Sequence, residues 1–324
     1  MMAEVRTGLW VFPDRPVGEL LQAVLDSERQ GLDEFWLGDE GPAREPFSVL
    51  AAASVVTDRI RLCSGVTNPY LRHPALTAST ALTIHEFSGG RMVLGVGAGG
   101  DMSLQPFGFD AVNPVSRVRS FIEIARSVAQ RRACDEYKPP SYAIDENIVG
   151  SRLTVFVGSR SEKINRLASE VADGVFVAGM PPFRFGEVIG WARSRRPIDV
   201  ALYPGAAFSD EAIECNRPQM IWGLLNGPQA ARDRLGVSAE ELQQAADELR
   251  SGDDSRARSL ITDRRLGELI LVGSVEEIGC RLAALVQSHE PSSIGLALTQ
   301  ADLSEGIDCA VAAFQVMRRE LGDN

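Results

Sequence analysis

The chain has 324 residues, of which 44% are hydrophobic and 24% charged, with a formal net charge of −11 and a pI near 4.9. That composition is ordinary for a globular protein of one large domain or two smaller ones, and its acidity disfavours binding nucleic acid or an anionic membrane through bulk electrostatics. Five scattered cysteines without a CxxC pair fit free thiols in a reducing cytoplasm rather than a disulfide scaffold. The start of the chain carries no basic segment followed by an apolar core, and no run of 18 apolar residues occurs, so a cytoplasmic protein is expected.

In chain order, 7–12 reads as a strand stopped by Pro13. A helix follows over 17–30, with Leu20, Leu21, Val24 and Leu25 on one face and Gly31 at its end. A second strand over 34–38 leads into the loop Asp39-Glu40-Gly41-Pro42, and 47–57 is helical. The apolar run 61–66 is a third, buried strand. Asn68, Pro69 and Pro74 break the pattern, and helical spacing returns over 75–87 until Ser88-Gly89-Gly90. A fourth strand, 92–96, ends in Gly97-Ala98-Gly99-Gly100. Further on, 115–132 is a long helix and 133–151 an irregular crossing loop. Strands at 153–157, 175–177 and 198–203 alternate with helices at 161–172 and 183–193. Residues 206–266 are mostly helical and polar. Ser274 and Glu277 form a capping-box pattern opening a helix over 275–286. A strand at 294–298 and a helix at 307–320 close the chain.

Residues 61–100 are the centre of this pattern: strand, loop, helix, strand, glycine loop. That is a βαβ unit, which implies parallel strands. Both loops leave the carboxyl ends of strands, where such folds bind ligands. Ser64 and Asn68 on one side, and Gly97, Ala98 and Gly99 on the other, are therefore ligand-binding candidates. Eight strands alternating with helices predict an α/β fold, a single (β/α)8 TIM barrel over 1–324 with insertions near 133–151 and 206–266. A doubly wound open sheet is the alternative.

The same stretch carries a family resemblance. Gly65-Val66-Thr67-Asn68-Pro69-Tyr70, then Arg72-His73-Pro74, Ser88-Gly89-Gly90-Arg91 and Leu94-Gly95-Val96-Gly97-Ala98-Gly99 occur in order and at matching spacing. They resemble the bacterial-luciferase-like superfamily, and within it the methylenetetrahydromethanopterin-reductase-like enzymes that use the 5-deazaflavin coenzyme F420. The resemblance implies a barrel that transfers hydride between F420 and a small organic substrate, and that the ligand of Ser64, Asn68, Gly97, Ala98 and Gly99 is the cofactor. A C=C or C=N bond of a biosynthetic intermediate is a plausible acceptor. An FMN-dependent monooxygenase of the same superfamily is the first alternative, and a non-catalytic flavin-binding barrel the second. Barrels of this kind often form homodimers.

The candidate site residues carry two readings each. Gly158-Ser159-Arg160-Ser161-Glu162 lies between a strand and a helix, where backbone N–H groups and the helix dipole favour an anion; Ser159 and Glu162 also fit a plain capping box. The resemblance favours the cofactor phosphate here, with Gly179 beside it. At Gly65–Val66 the resemblance implies a non-prolyl cis peptide backing the deazaflavin ring, against an ordinary buried strand end. It also makes Asp39 a contact of the cofactor ring. Glu40 stands where sugar-phosphate dehydrogenases of the superfamily carry a proton-transferring His, and a carboxyl with a raised pKa suits the same work. Its bland reading is a solvated acidic loop. Asp101 matches an acidic position of the methylene-reductases, with helix capping as its rival. Trp10 departs from those enzymes, which carry Glu there. It either stacks on a flat substrate or fills the barrel mouth. His73 is a candidate for positioning the cofactor, while His85 and His289 read as structural. No metal-ligand spacing is present.

Overall fold

The structure, a computed structural model, describes residues 5–143, 146–225, 227–298 and 302–322, with the backbone alone for Asp101, Met102 and Ile148. Seven parallel strands follow one another around a sheet: β1 (Arg6–Val11), β2 (Glu34–Leu37), β3 (Arg61–Ser64), β4 (Met92–Gly97), β5 (Thr154–Gly158), β6 (Gly174–Ala178) and β7 (Asp199–Tyr203). Two short strands, β8 (Gly205–Ala207) and β9 (Leu271–Val272), precede β10 (Ser293–Leu298), which pairs with both β7 and β1 and closes the ring. The fold is a closed eight-stranded TIM barrel, and the open-sheet alternative is excluded by the β1–β10 pairing.

Residues β2 and β4 contribute are buried without exception. These strands face helices outside and packed side chains inside, which is why they read as continuous apolar runs rather than alternating ones. The outer helices of this region are α1 (Val17–Arg29), α2 (Pro46–Ser54), α3 (Pro74–Phe87), the four-residue α4 (Asp101–Leu104), α5 (Pro114–Ala129) and α6 (Glu162–Val171), followed further on by α7 (Phe185–Ala192). Both α2 and α3 begin with Pro at the first helical position, where its missing N–H costs nothing.

The chain groups into two compact units: Met1–Val177 with Glu187–Leu202 and Pro291–Gly295, and Ala178–Gly186 with Tyr203–Glu290 and Leu296–Asn324. In the second, α8 (Asp210–Asn216), α9 (Met220–Leu225), α10 (Gln229–Leu235), α11 (Ala239–Arg250), α12 (Ser255–Leu260) and α13 (Asp263–Leu269) gather around a core of their own. Ile221, Leu224, Leu235, Leu242 and Ile261 lie at its centre. Helices α14 (Val275–His289) and α15 (Leu303–Leu321) follow. The Ser274–Glu277 capping box forms as expected. Helix α15 starts four residues before the expected 307, because the Asp302 carboxylate accepts from the N–H groups of Ser304 and Glu305 at 2.9 and 3.2 Å.

Inside the first unit the barrel is filled in layers. At the amino ends of the strands, Glu34 is fully buried. It accepts from Arg6 Nε at 2.8 Å, Arg61 at 2.5 Å, Trp36 Nε1 at 3.0 Å and Ser293 Oγ at 3.0 Å. Burial alone pushes this carboxyl upward, but the Arg61 and Arg6 charges outweigh it and hold the group below its ordinary pKa. Above lies an aromatic layer. Trp36 stacks on Phe176 with ring centres 4.3 Å apart and meets Phe156 edge-on at 5.6 Å. This layer is the floor beneath the mouth of the barrel.

Candidate active site

The carboxyl ends of β1 to β5 carry the candidate residues of the first unit. The Gly65–Val66 peptide bond is cis, as the resemblance implied. Val66 is half-buried and is seated among three glycines. A Cβ on Gly95 would stand 2.9 Å from Val66 Cγ1, one on Gly97 2.8 Å from Cγ2, and one on Gly158 2.9 Å from Cγ1. All three distances are shorter than real Cβ contacts allow, so the glycines are the socket for this valine. On its side-chain side, Gly158 is covered by Val66.

Trp10 takes part in the same arrangement. Its indole Nε1 donates to the Gly65 carbonyl oxygen at 2.5 Å. Its ring lies where a Cβ on Gly65 would come within 2.9 Å and one on Gly38 within 3.1 Å. Ser64 is buried on the other side, and its Oγ accepts from the Gly95 N–H at 2.9 Å. Asn68, also buried, accepts through Oδ1 from the N–H groups of Tyr70 and Leu71, a turn that holds the loop after β3. His73 caps α3 by accepting from the Ala75 N–H at 3.2 Å.

Asp39 and Glu40 follow β2 after Gly38, and both are half-buried. Each is tied to a hydroxyl from another loop. The Asp39 carboxyl bonds the Thr67 side chain. Glu40 Oε2 accepts from Ser103 Oγ, on α4, at 3.1 Å. Desolvation is the chief reason both carboxyls hold protons more tightly than usual. The field of Glu45 adds to it for Asp39, and that of Asp39 for Glu40. Glu40 is pushed up to about 7, with Ser103 and the Arg160 charge opposing the rise. A carboxyl so placed exchanges its proton near neutral pH, the property a general acid or base requires. The solvated-loop reading of Glu40 does not describe it. Asp101 opens α4, but its side chain lies outside the described residues. Sequence reasoning missed Ser103, since a serine in a short helix past a glycine loop matches no motif.

The turn after β5 ends at α6. Ser159 Oγ accepts from the Ser161 N–H at 3.1 Å, and no side chain caps the first turn of α6. Glu162 pairs with Arg166 at 2.8 Å instead of reaching back. The Ser159–Glu162 capping box is thus not formed, and the first N–H groups of a ten-residue helix are left without a side-chain acceptor. Gly97, Ala98 and Gly99 border this region from β4, and Gly99 adopts a left-handed φ of +75°. Gly179 lies in the second unit, past the end of β6, with a φ of +63°.

An eight-stranded barrel with a proton-holding carboxyl pair at the carboxyl ends of its strands has the architecture of an enzyme. The chain belongs to the luciferase-like monooxygenase family, which it matches over residues 2–289. It is an enzyme of that superfamily. Among curated relatives it is 26% identical to the 5,10-methylenetetrahydromethanopterin reductase of Methanopyrus kandleri, with 89% of this chain and 91% of the relative covered. It is 27% identical to the Archaeoglobus fulgidus enzyme of the same name, with 85% and 88% covered. Among solved structures, the coenzyme F420 dependent tetrahydromethanopterin reductase from Methanopyrus kandleri superposes with a TM-score of 0.82 at 23% identity. The match covers 95% of this chain and 98% of that one.

Proposed function

We propose that this protein is a coenzyme F420-dependent oxidoreductase that transfers a hydride between the deazaflavin and a small organic substrate. A C=C or C=N bond of a biosynthetic intermediate is the acceptor in this reading. The observation that carries it is Glu40, a half-buried carboxyl just past the carboxyl end of β2, bonded to Ser103 and pushed by burial up to about 7. Support comes from the relatives, whose Methanopyrus member is described as F420 dependent.

The residues present fit the cofactor. The uncapped start of α6, with Ser159 and Arg160, offers N–H groups and a positive charge for its phosphate at Gly158. Val66, fixed in its glycine socket with Ser64 and Gly65 behind it, supplies an apolar surface for the ring. Asn68, Gly97, Ala98 and Gly99 complete the proposed cofactor contacts, and Asp39 borders the ring. When bound, the deazaflavin supplies or accepts the hydride.

The chain supplies the rest. In reduction, the substrate carbon that receives the hydride leaves its neighbouring carbon or nitrogen in need of a proton. Glu40 gives that proton and becomes a carboxylate, which Ser103 and Arg160 then stabilise. In the reverse direction the Glu40 carboxylate takes the proton. Asp101 and Trp10 are further candidates for contact with the substrate.

The test is anaerobic turnover of reduced F420 with unsaturated acceptors, followed by the absorbance of the oxidised deazaflavin. The family description favours one competing reading, an FMN-dependent monooxygenase. Substrate-dependent oxygen consumption with reduced FMN, and none of the deazaflavin turnover, would establish it instead.

A further inference from the structure

We propose that Ser103 is the positioning residue of this site: its hydroxyl holds Glu40 Oε2 in place as the proton leaves and returns. The inference rests on the reading of Glu40 as the proton source. Ser103 is only 7% exposed, and its Oγ stands 3.1 Å from Oε2 of a residue 63 positions earlier in the chain. A hydroxyl donates to a carboxylate and accepts from a carboxylic acid. One partner therefore satisfies both protonation states of Glu40 without moving the carboxyl, which a fixed donor such as a lysine would not do.

Among the described residues, Asp39 and Arg160 act on Glu40 through their charges. Asp39, adjacent in sequence, opposes its ionisation, and Arg160 favours it. Asp39 is itself engaged by Thr67 and lies in the fields of Glu45 and Arg72.

The placement of Ser103 does not depend on its hydroxyl. Its backbone N–H bonds the Gly100 carbonyl at 3.0 Å. Next to it, Leu104 is 2% exposed and packs so closely on Gly99 that a Cβ there would lie 2.8 Å from Leu104 Cδ1. Leu104 and the Gly100 bond therefore anchor α4, and removal of the Ser103 hydroxyl leaves the helix where it is.

The experiment is a 13C carboxyl titration of the full chain labelled at glutamate, with Glu40→Gln identifying the Glu40 signal. Wild type is compared with Ser103→Ala, Ser103→Cys and Ser103→Thr. Loss of a hydrogen bond that favours the charged form raises proton affinity. Ser103→Ala is therefore expected to raise the Glu40 affinity about tenfold. Ser103→Cys, a weak donor, should raise it less, and Ser103→Thr should restore the wild-type midpoint. In turnover assays the alkaline limb of the pH profile should move by the same factor. Midpoints in Ser103→Ala and Ser103→Cys within twofold of wild type would overturn the positioning role, as would a Ser103→Thr midpoint displaced as far as that of Ser103→Ala. F420 binding is read separately on the same samples. Its absence from the wild type would remove the functional reading, whereas the Glu40 midpoints decide the Ser103 coupling on their own.

Discussion

The indole N–H of Trp10 and the carbonyl oxygen of Gly65 are hydrogen-bonded at 2.5 Å across 55 positions of sequence. The bond ties β1 to the segment that presents Val66, and it gives Trp10 a structural duty that either reading of its side chain has to accommodate. Trp10→Phe keeps an aromatic ring but leaves the Gly65 carbonyl without this donor. A cost of about 1–2 kcal/mol in urea unfolding is expected, together with weaker cofactor binding. Unchanged stability would show that water replaces the indole N–H at no cost.

Glu40 sets the pH behaviour. Its proton affinity in the folded chain, about 7, exceeds the ordinary 4.5 of a glutamate. The stabilisation from holding that proton is complete below 4.5 and is lost as pH rises toward 7. Glu40→Gln removes the loss, so at pH 8 the variant should be more stable than wild type by about 1–3 kcal/mol, with no difference near pH 4.5. Reduction by the wild type should slow about tenfold per pH unit above 7, since the neutral acid is the donor. Thermal melts at the two pH values and a pH–rate profile check both statements.

Val66 and Gly158 should behave as a coupled pair. Gly158→Ala places a methyl group 2.9 Å from Val66 Cγ1, against a side chain with a stiff χ1. The single variant is expected to lose about 1–3 kcal/mol. In a Val66→Ala background the same change should cost far less, a coupling of more than about 1 kcal/mol in a double-mutant cycle. Gly97→Ala should not be rescued so fully, because its methyl also meets the backbone oxygen of Gly158 at 2.8 Å. Additive effects for Gly158 and Val66 would refute the socket.

Glu34 makes the opposite kind of prediction, one confined to stability. Glu34→Gln leaves Arg6 and Arg61 facing a buried neutral group. A loss of about 3–5 kcal/mol is expected in chemical denaturation. The affinity for cofactor should not change under conditions where the variant is folded, because the cluster lies at the amino ends of the strands.

Much of the barrel was legible in the sequence because its strands are apolar runs and its helices carry periodic faces bounded by Pro and Gly. Strands β8 and β9 were not, since three and two residues are too short to show a period. The glycines of β4 and β5 stood out as candidates for approach by a ligand, but their actual neighbour, Val66, could be identified only in three dimensions. The same limit hid the Glu34 cluster, whose partners come from positions 6, 36, 61 and 293, and the Ser103–Glu40 bond. The Asp39-Glu40 pair was visible as a dipeptide after a strand. Its proton affinity was not, because that depends on desolvation and on charges brought in by other loops.

The most direct test of the account is a paired fluorescence titration of the purified chain with coenzyme F420 and with FMN under identical conditions. The account predicts that F420 binds at least about tenfold more tightly, a difference of roughly 1.4 kcal/mol, and that Arg160→Gln weakens F420 binding without unfolding the protein. Equal affinities, or tighter binding of FMN, would contradict it.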